Sequence, residues 1–286
     1  MRVLAFGEIL WDLYPDNKFL GGASLNFGAH LAKHGEDVFL LSAVGQDDLG
    51  KEAIEQVKKW KINEKYISSL DTKKTGRCLV TLDQNSVPSY DLLTDVAYDY
   101  INCDNITEDF DVLYFGTLAL RSEYNYNSIN KLLTSRSFKD VFVDVNIRKP
   151  FCSAKTVRFA VESATILKVS LEELSTVSDF LSIEEVQNYK TFAKLLADKF
   201  KNLKLIVITL GEDGAYAYDC INESEFYCAG IKAAVVSTVG AGDSFSAAFL
   251  SKYMYGFDAQ ACLEYANKIA CMVVSVMDAV PDYQVF

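Results

Sequence analysis

The sequence is poor in histidine, and its histidines and cysteines do not have the spacing of a known metal site. The two histidines, His30 and His34, lie four residues apart on a predicted helix. A zinc-protease helix would need glutamate where this chain has Leu31, and the sequence offers no third ligand cluster. We therefore expect both histidines to be surface or packing residues.

Long apolar runs and closely spaced cysteines are missing as well. No run approaches the roughly 20 apolar residues that span a bilayer. The apolar first segment is interrupted by Glu8 and Asp12, so we expect a buried strand rather than a signal peptide. The seven cysteines are odd in number and scattered, without a C-x-x-C pair. This pattern predicts a reduced, cytoplasmic protein.

Positive charge is in short supply. The 28 basic residues are outnumbered by 39 acidic ones, which gives a net charge of −11. This balance argues against nucleic acid or an anionic membrane as a partner. An anionic nucleotide is still compatible with it, because a local cradle and Mg²⁺ can override the overall field. A length of 286 residues, half of them hydrophobic, fits one large soluble α/β domain.

Apolar runs rich in Val, Ile, Leu and Phe alternate with stretches of helical periodicity. This alternation predicts an α/β fold with a doubly wound, mainly parallel sheet flanked by helices. The predicted strands are 3–6, 38–44, 112–115, 141–145, 166–169 and 205–209. The predicted helices are 24–33, 50–60, 125–134, 154–162, 183–200, 243–255 and 258–276.

One region departs from this alternation. Residues 66–93 have β-type alternation without an intervening helix, and a turn is predicted at 84–86. We expect a small antiparallel sheet beside the α/β body. Such a sheet would serve as a lid or as a dimer surface.

The most informative segment is Gly240-Ala241-Gly242-Asp243, which is followed by an apolar helical stretch. Glycines allow a tight turn, and the free N–H groups at the start of a helix favour an anion such as a phosphoryl group. Asp243 would lie beside that anion, where a carboxylate can accept a proton from a hydroxyl. The segment is typical of phosphoryl transfer to an alcohol, and the alternative is a plain turn with Asp243 as helix cap.

A second glycine segment, residues 45–52, nearly matches the P-loop pattern. It lacks the final hydroxyl that would bind Mg²⁺, and Asp47, Asp48 and Glu52 would repel a triphosphate. We therefore expect a structural turn that caps a helix.

Three further segments each allow two interpretations. The turn at 21–22, with Asp12 before it and Asn26 after it, suits either a polyhydroxylated ligand or a helix cap. The loop at 209–214 would line a nucleotide or form a tight turn into a strand. Arg148 follows a strand and would bind a phosphate or sugar oxygen, or form a structural ion pair.

In this order, the segments resemble the ribokinase-like (PfkB-type) carbohydrate kinase family along nearly the whole chain. The last motif is highly specific, and residues 6–15 and 115–122 are most similar to bacterial fructokinases. The resemblance implies transfer of the γ-phosphoryl group of ATP, with Mg²⁺, to a sugar hydroxymethyl group, with fructose as the expected sugar. It also implies a small β lid, built from about 13–20 and 66–95, that pairs two subunits. The other matching motifs are Gly7-Glu8…Asp12, Gly21-Gly22…Asn26, Gly45-x-Asp47-x-x-Gly50, Asp144-x-Asn146-x-Arg148, Lys168…Glu173 and Thr209-x-Gly211-x-x-Gly214.

The resemblance also implies residue roles. Asp243 would be the catalytic base, and the backbone of Gly240, Ala241 and Gly242 would form the anion hole. Glu173 would bind Mg²⁺ through water. The sugar would be held by Asp12, Gly22, Asn26 and Arg148. The nucleotide would be held by Lys168, Ser170, Thr209, Gly211, Gly214 and Asn267.

Three positions depart from the family pattern. Ser237 and Ser170 stand where Asp and Asn are usual, and Asp278 stands where Gly is usual. Ser237 puts activation by K⁺ in question, because the usual Asp shapes a monovalent-cation site; Ser170 bears on nucleotide affinity. These departures leave open a sugar-binding homologue with weakened catalysis. A kinase of ribose, a 2-keto-3-deoxy acid or a nucleoside is a further alternative, because residues of the lid decide the acceptor.

Overall fold

In the computed structural model, which describes residues 1–82 and 88–285, strands and helices largely alternate along the chain. The strands are β1 (Arg2–Phe6), β2 (Leu10–Leu13), β3 (Lys18–Gly21), β4 (Asp37–Gly45), β5 (Ile67–Leu70), β6 (Gly76–Leu82), β7 (Pro88–Leu92), β8 (Val112–Gly116), β9 (Asp140–Asp144), β10 (Ile166–Ser170), β11 (Leu205–Thr209), β12 (Gly214–Asp219) and β13 (Ser224–Ala229). The α-helices are α1 (Ala23–Lys33), α2 (Asp48–Lys59), α3 (Glu123–Ser135), α4 (Ala154–Ser163), α5 (Leu174–Leu181), α6 (Tyr189–Lys199), α7 (Ala241–Tyr253) and α8 (Ala259–Val273).

The large sheet has nine strands in the order β13-β12-β11-β10-β9-β8-β1-β4-β5. The seven strands from β11 to β5 are all parallel, and β12 and β13 extend one edge as antiparallel strands. Parallel neighbours require crossover connections, and helices supply most of them. The predicted doubly wound, mainly parallel architecture is confirmed.

Both faces of the sheet are buried, which explains the nearly continuous apolar runs in its strands. In β1, Val3 and Ala5 belong to one core cluster, while Leu4 and Phe6 belong to the other. The first cluster packs under α1, α2, α7 and α8, and the second under α3 to α6. The sheet is thus the middle layer of three.

The small sheet has the order β3-β2-β6-β7, and two of its three pairings are antiparallel. It is narrower than the predicted 66–95, because β5 pairs in parallel with β4 at the edge of the large sheet. An edge strand with half-buried side chains has the same alternation as a lid strand, so the pattern misled the prediction. The turn predicted at 84–86 lies outside the described residues.

The predicted helix 183–200 is wrong at its start, and α5 was missed. Ser182 adopts a left-handed backbone conformation that ends α5, and the side chain of Asn188 caps α6. Between them, Ile183 and Val186 pack against the core and imitate a helical repeat.

As for membrane spans, no helix within 1–82 or 88–285 combines the length and apolarity needed to cross a bilayer.

Candidate active site

Residues from several of the matching motifs lie at one edge of the large sheet, where the parallel strands end. The strand order reverses between β1 and β8, and ligands of such sheets bind outside the carboxyl ends at this reversal. Glu8 follows β1, Asp144 ends β9, Ser170 ends β10 and Thr209 ends β11. The topology therefore gathers segments that are far apart in sequence.

The turn before α7 has the backbone geometry of an anion cradle. Gly240 has φ 79°, and a Cβ there would lie 2.4 Å from the carbonyl oxygen of Ala279, so only glycine fits. Among the described residues, the N–H groups of Gly242 and Asp243 have no hydrogen-bond acceptor. Free N–H groups at a helix start are what a phosphate oxygen requires.

Asp243 lies in the first turn of α7 and is only 9% exposed. Asn26 Nδ2 donates a hydrogen bond of 2.9 Å to Asp243 Oδ2. Burial raises the pKa of Asp243 to about 7, although the Asn26 hydrogen bond acts in the opposite direction. A carboxylate with a pKa near neutrality is well matched to accept a proton at physiological pH.

A buried ion pair between Lys168 and Asp144 lies beside the anion cradle, the turn formed by residues 240–243. Lys168 is 4% exposed, and its Nζ lies 2.8 Å from Asp144 Oδ2, which also accepts a 3.1 Å hydrogen bond from Ser246 Oγ. Burial disfavours the ammonium, but the adjacent Asp144 carboxylate outweighs it and raises the pKa of Lys168 above its usual value. A Cβ on Gly242 would lie 3.4 Å from Lys168 Nζ, so the cation sits beside the first turn of α7.

This ion pair refines what the sequence indicated. Lys168 was expected to hold the nucleotide, and its Nζ contacts the base of the cradle. Asp144 and Ser246 were not among the predicted site residues. A charged residue at the end of an otherwise apolar strand was the available signal for Asp144.

The turn at 21–22 brings the predicted sugar-binding groups together. A Cβ on Gly21 would lie 3.4 Å from Asp12 Oδ2 and 4.0 Å from Asn26 Oδ1, so both side chains border this glycine. Gly22 has φ 117°, and its Cβ would lie 2.3 Å from the carbonyl oxygen of Glu8. Polar oxygens of Asp12 and Asn26 thus face the same space near Asp243.

Arg148 is exposed after β9, and its charge reaches the same space. It lowers the pKa of both Asp12 and Asp243, which places the guanidinium near both carboxylates. Burial is the stronger effect on Asp12 and raises its pKa to about 6. Asn146, two residues before Arg148, has φ 42°, a conformation in which the chain turns sharply after the strand.

The predicted nucleotide loop lies beside the end of β13. Gly214 has φ 106°, and a Cβ there would lie 2.1 Å from the carbonyl oxygen of Cys228. Asn267 Nδ2 donates a 3.3 Å hydrogen bond to the carbonyl oxygen of Ala229. Gly211 has φ 61° with open space around it. Gly214 therefore has a packing role, whereas Gly211 leaves room for a ligand.

Glu173 holds two backbone segments together. Its Oε2 accepts a 2.8 Å hydrogen bond from Ser170 N, and its Oε1 accepts one from Ile147 N. Within the described ranges, no group of three His, Cys, Asp or Glu side chains is placed to hold a metal ion. This donor set fits Mg²⁺ bound mainly by nucleotide phosphates and water, with one carboxylate in support.

The three residues that depart from the family pattern occupy ordinary local structures. Ser237 Oγ accepts a 3.2 Å hydrogen bond from Val239 N in the loop before Gly240. Asp278 Oδ1 accepts one of 3.0 Å from Val280 N. Ser170 is half-buried at the end of β10.

His30 is a packing residue that fixes residues 279–283. Its Nε2 lies 2.9 Å from the carbonyl oxygen of Ala279, so Nε2 carries the proton, and Nδ1 accepts from the hydroxyl of Tyr283 at 2.7 Å. Burial lowers the pKa of His30 to about 3, and the ring is neutral. Through Ala279, this contact reaches Gly240 in the cradle.

The near match to a P-loop is a structural turn, as predicted. Asp47 caps α2 by accepting a 2.9 Å hydrogen bond from Gly50 N, and it also accepts one of 3.0 Å from Thr75 N. A Cβ on Gly50 would lie 2.1 Å from the carbonyl oxygen of Gly45. The glycines here allow two backbone segments to touch.

Comparison with known proteins agrees with this geometry. The family model described as pfkB family carbohydrate kinase matches residues 16–284. A probable fructokinase of Arabidopsis thaliana is 27% identical over 87% of this chain and 81% of its own length. A 5-dehydro-2-deoxygluconokinase of Listeria monocytogenes is 25% identical over 96% and 86%.

A solved structure gives the same answer for the fold. A sugar kinase of Pyrococcus horikoshii, in complex with ATP, superposes with a TM-score of 0.80 at 26% identity, covering 98% of this chain and 94% of that one. The family match extends over nearly the whole chain and includes the cradle, Asp243 and Asn26. The chain therefore belongs to the pfkB family of carbohydrate kinases.

Proposed function

We propose that this carbohydrate kinase transfers the γ-phosphoryl group of ATP to a hydroxymethyl group of a sugar, with fructose as the preferred acceptor. The observation that carries the proposal is the buried Asp243 carboxyl beside unpaired N–H groups at the start of α7. A general base and an anion cradle on adjacent residues are the equipment for phosphoryl transfer to an alcohol.

In the proposed reaction, Asp243 accepts the proton of the attacking hydroxyl. The hydroxyl oxygen then bonds to the γ-phosphorus, the bond between that phosphorus and the bridging oxygen breaks, and ADP leaves. The N–H groups of Gly242 and Asp243 stabilise the charge on the phosphoryl oxygens. Lys168, held by Asp144, adds a fixed positive charge beside this turn.

The acceptor would lie between the turn at 21–22 and Asp243. Asp12, Asn26 and the backbone at Gly22 would bind its hydroxyl groups, and Arg148 would close the outer side. The hydrogen bond from Asn26 to Asp243 supports this arrangement, because it joins the sugar residues to the base. The similarity to a probable fructokinase favours fructose.

The nucleotide would bind along the loop at 209–214, with Ser170 and Asn267 nearby. Mg²⁺, when bound with ATP, would neutralise charge on the phosphates, and Glu173 is the carboxylate that would reach its water shell. A K⁺ site at Ser237 is weakly supported, because the serine hydroxyl already accepts a hydrogen bond from Val239 N. We propose a cytoplasmic location on the basis of the scattered free thiols.

We also propose that the small sheet closes over the sugar as a lid and pairs two subunits. Phe19 and Tyr90 expose large apolar side chains on one face of this sheet, and Leu79 exposes one on the other face; a partner subunit would cover such side chains. Light scattering after size exclusion should report twice the monomer mass of 31.9 kDa. Charged substitutions at Leu79 and Tyr90 should return the protein to a monomer.

An ADP-release assay over a panel of sugars, with and without K⁺, tests the reaction. The panel contains fructose, ribose, a 2-keto-3-deoxy sugar acid and a nucleoside. We expect the highest kcat/KM with fructose. Release of ADP with none of them, together with clear sugar binding, would instead identify a sugar-binding homologue.

An acidic acceptor is the second candidate, because one relative is named a 5-dehydro-2-deoxygluconokinase. The exposed Arg148 is a suitable partner for a carboxylate. The other nearby guanidinium, Arg121, is already paired with Asp99 at 2.7 Å. The carboxyl groups of Asp12 and Asp243 in the same site would repel an acid, which favours a neutral sugar.

A further inference from the structure

Three buried polar atoms near the proposed sugar site have no hydrogen-bond partner among the described residues. They are Glu8 Oε2, Arg121 Nη1 and the hydroxyl of Tyr98. All three side chains are more than nine-tenths buried. Because an unpaired buried polar group is costly, such a group is expected to meet a polar ligand or an ordered water.

The three groups are neighbours. The guanidinium of Arg121 lies 4.8 Å from the ring centre of Tyr98, on the face of the ring. Arg121 lowers the pKa of Glu8, which burial raises overall. Glu8 in turn raises the pKa of Tyr98, although burial is the main cause there. A Cβ on Gly76 would lie 2.5 Å from the ring of Tyr98 and 2.6 Å from the carbonyl oxygen of Ile9, so Tyr98 packs beside the residue that follows Glu8.

The orientation of Arg121 is fixed by its other contacts. Nε and Nη2 donate to the two carboxylate oxygens of Asp99 at 2.7 and 3.0 Å, and Nη2 also donates to the carbonyl oxygen of Leu93. Tyr98 and Phe151 cover the guanidinium, each at 4.8 Å. Nη1 is therefore on the side of the planar guanidinium group away from Asp99, and it is the nitrogen left to donate.

Glu8 is held in a similar way. Its Oε1 accepts a 3.0 Å hydrogen bond from Ala23 N at the start of α1, which leaves Oε2 uncommitted. A Cβ on Gly22 would lie 3.0 Å from Glu8 Cγ, so the carboxyl lies directly beneath the turn at 21–22. The same Cβ would lie 2.3 Å from the carbonyl oxygen of Glu8, so Glu8 lies against the turn that Asp12 and Asn26 border.

We propose that Glu8 Oε2 and Arg121 Nη1 together bind one secondary hydroxyl of the acceptor sugar, away from the hydroxymethyl group that is phosphorylated. The proposal rests on the proposed function. A hydroxyl donates one hydrogen bond and accepts others, so it satisfies an acceptor and a donor at once. Glu8 would repel an anion, and Arg121 would repel a cation. A neutral hydroxyl can donate a hydrogen bond to Glu8 and accept one from Arg121.

The pair also lies at the joint between the small sheet and the body. A Cβ on Gly76, the first residue of β6, would lie 2.5 Å from the ring of Tyr98. A sugar hydroxyl held there would contact both the floor of the cleft and the base of the proposed lid. The pair would therefore select acceptors that carry a hydroxyl at the matching carbon.

Equilibrium binding of sugars to designed variants tests the proposal. The probes are the sugar that ranks first in the ADP-release panel and its analogues that each lack one hydroxyl. Glu8→Gln keeps the acceptor for Ala23 N but replaces Oε2 with a donor. Arg121→Lys keeps a cation for Asp99 but removes Nη1. Glu36→Gln is the control, since Glu36 is buried and pairs with the terminal ammonium of Met1 at 2.8 Å.

In the wild-type protein, one analogue should bind about ten- to a hundredfold more weakly than the parent sugar. In Glu8→Gln and in Arg121→Lys, this difference should shrink to about twofold or less. The double variant should lose no more affinity for the parent sugar than the single variant that binds it more weakly. Glu36→Gln should bind all the sugars as the wild type does. Should Glu8→Gln not fold, Arg121→Lys carries the same comparison.

Two results with the variants would overturn the hydroxyl site. One is an equal loss of affinity for every analogue in both variants, which indicates a general structural role. The other is unchanged binding with a lower melting temperature, which indicates that the pair binds only an ordered water. A wild-type protein that phosphorylates a sugar without favouring any hydroxyl rejects this site alone, whereas absence of phosphorylation with every sugar rejects the proposed function.

Discussion

The glycine turns at 45–50 and at 240–243 both lie at the start of a helix, and they use their backbone N–H groups differently. In the first, Gly45 N donates to Thr75 Oγ1 at 3.0 Å, and Gly50 N donates to Asp47 Oδ1 at 2.9 Å. In the second, the N–H groups of Gly242 and Asp243 have no acceptor among the described residues. Glycine spacing alone does not identify a phosphate site. The distinguishing feature is whether the N–H groups of the turn already have hydrogen-bond acceptors within the protein.

The carboxylates of the two turns differ in the same way. Asp47 caps its own helix and anchors Thr75, so it is a structural residue. Asp243 makes one side-chain hydrogen bond, from Asn26, and is buried in the proposed cleft. The following predictions test this contrast, beginning with the largest expected effect.

Asp243→Asn should lower kcat by about 10²- to 10⁴-fold, because it removes the proposed base while Asn keeps the size of the side chain. Sugar binding should stay close to wild type, and the melting temperature near pH 7 should be at least that of the wild type, because Asn carries no ionisable group. Steady-state kinetics, calorimetric sugar binding and thermal unfolding measure the three quantities. A variant that retained more than about a hundredth of the wild-type kcat would refute the role of Asp243.

Asp47→Asn is the matched control for this substitution. It should keep wild-type kcat but lose about 1 kcal/mol in the free energy of unfolding. Asn caps a helix as well as Asp does, but its single acceptor oxygen cannot replace both carboxylate oxygens, which accept from Gly50 N and Thr75 N. Urea unfolding gives that value. If Asp47→Asn reduced kcat as strongly as Asp243→Asn, the distinction between the two turns would be wrong.

Gly240→Ala and Gly50→Ala should both destabilise the fold, because their Cβ atoms would lie 2.4 and 2.1 Å from a carbonyl oxygen. A left-handed non-glycine residue such as Ala at 240 costs about 1–3 kcal/mol. Only Gly240→Ala should also raise the KM for ATP, since only that turn is proposed to hold phosphate. Equal effects of both variants on the KM for ATP would contradict the assignment.

The two carboxylates should give opposite pH dependences of stability. The pKa of Asp243 rises from 3.8 to about 7 on folding, so folding binds a proton between these values, and stability falls as pH rises through this range. The pKa of Asp47 is lowered, because its hydrogen bonds to Thr75 and Gly50 outweigh burial. Its stabilising contribution is present above the ordinary pKa and is lost as pH falls through the lowered one.

Urea unfolding between pH 3 and 8 of the two Asp→Asn variants separates these contributions. Asp243→Asn should remove the loss of stability toward pH 7, and Asp47→Asn should remove part of the loss in acid. The kcat/KM of the wild type should rise with pH toward a plateau above about 7, as Asp243 becomes ionised. A profile that falls between pH 5 and 7 would contradict a carboxylate base.

The smallest effect is expected at Ser237. The wild type should respond little to K⁺, because the serine hydroxyl is already occupied by Val239 N. Ser237→Asp restores the residue usual in the family and should make kcat depend on K⁺ when K⁺ is compared with Na⁺. Strong K⁺ activation of the wild type would show that the turn before α7 binds the ion without an aspartate.

The fold was largely predictable because both faces of the sheet are buried, and the strands therefore appear as continuous apolar runs. Prediction failed where this signal is weak. The edge strand β5 is only half-buried, and the connection between α5 and α6 packs apolar side chains without being helical. In both places, tertiary contacts decide the structure.

The proposed site was predictable only in part. Motif glycines and Asp243 stand out in sequence, but the hydrogen bond from Asn26 to Asp243 joins residues that are 217 positions apart. The pairing of Lys168 with Asp144, and the grouping of Glu8 with Arg121, depend on how separate strands end side by side. Spacing along the chain carries no signal for such contacts.

The contact between Ala279 and Gly240 ties the end of the described chain to the phosphate cradle. Proteolytic clipping just before Ala279 would free the backbone that holds the left-handed turn in shape. A preparation trimmed in this way would retain every side chain assigned to the sugar and to proton transfer. The clipped protein would bind ATP weakly and would be poorly retained on immobilised ATP. The intact mass of a preparation should therefore be measured before the preparation is judged inactive.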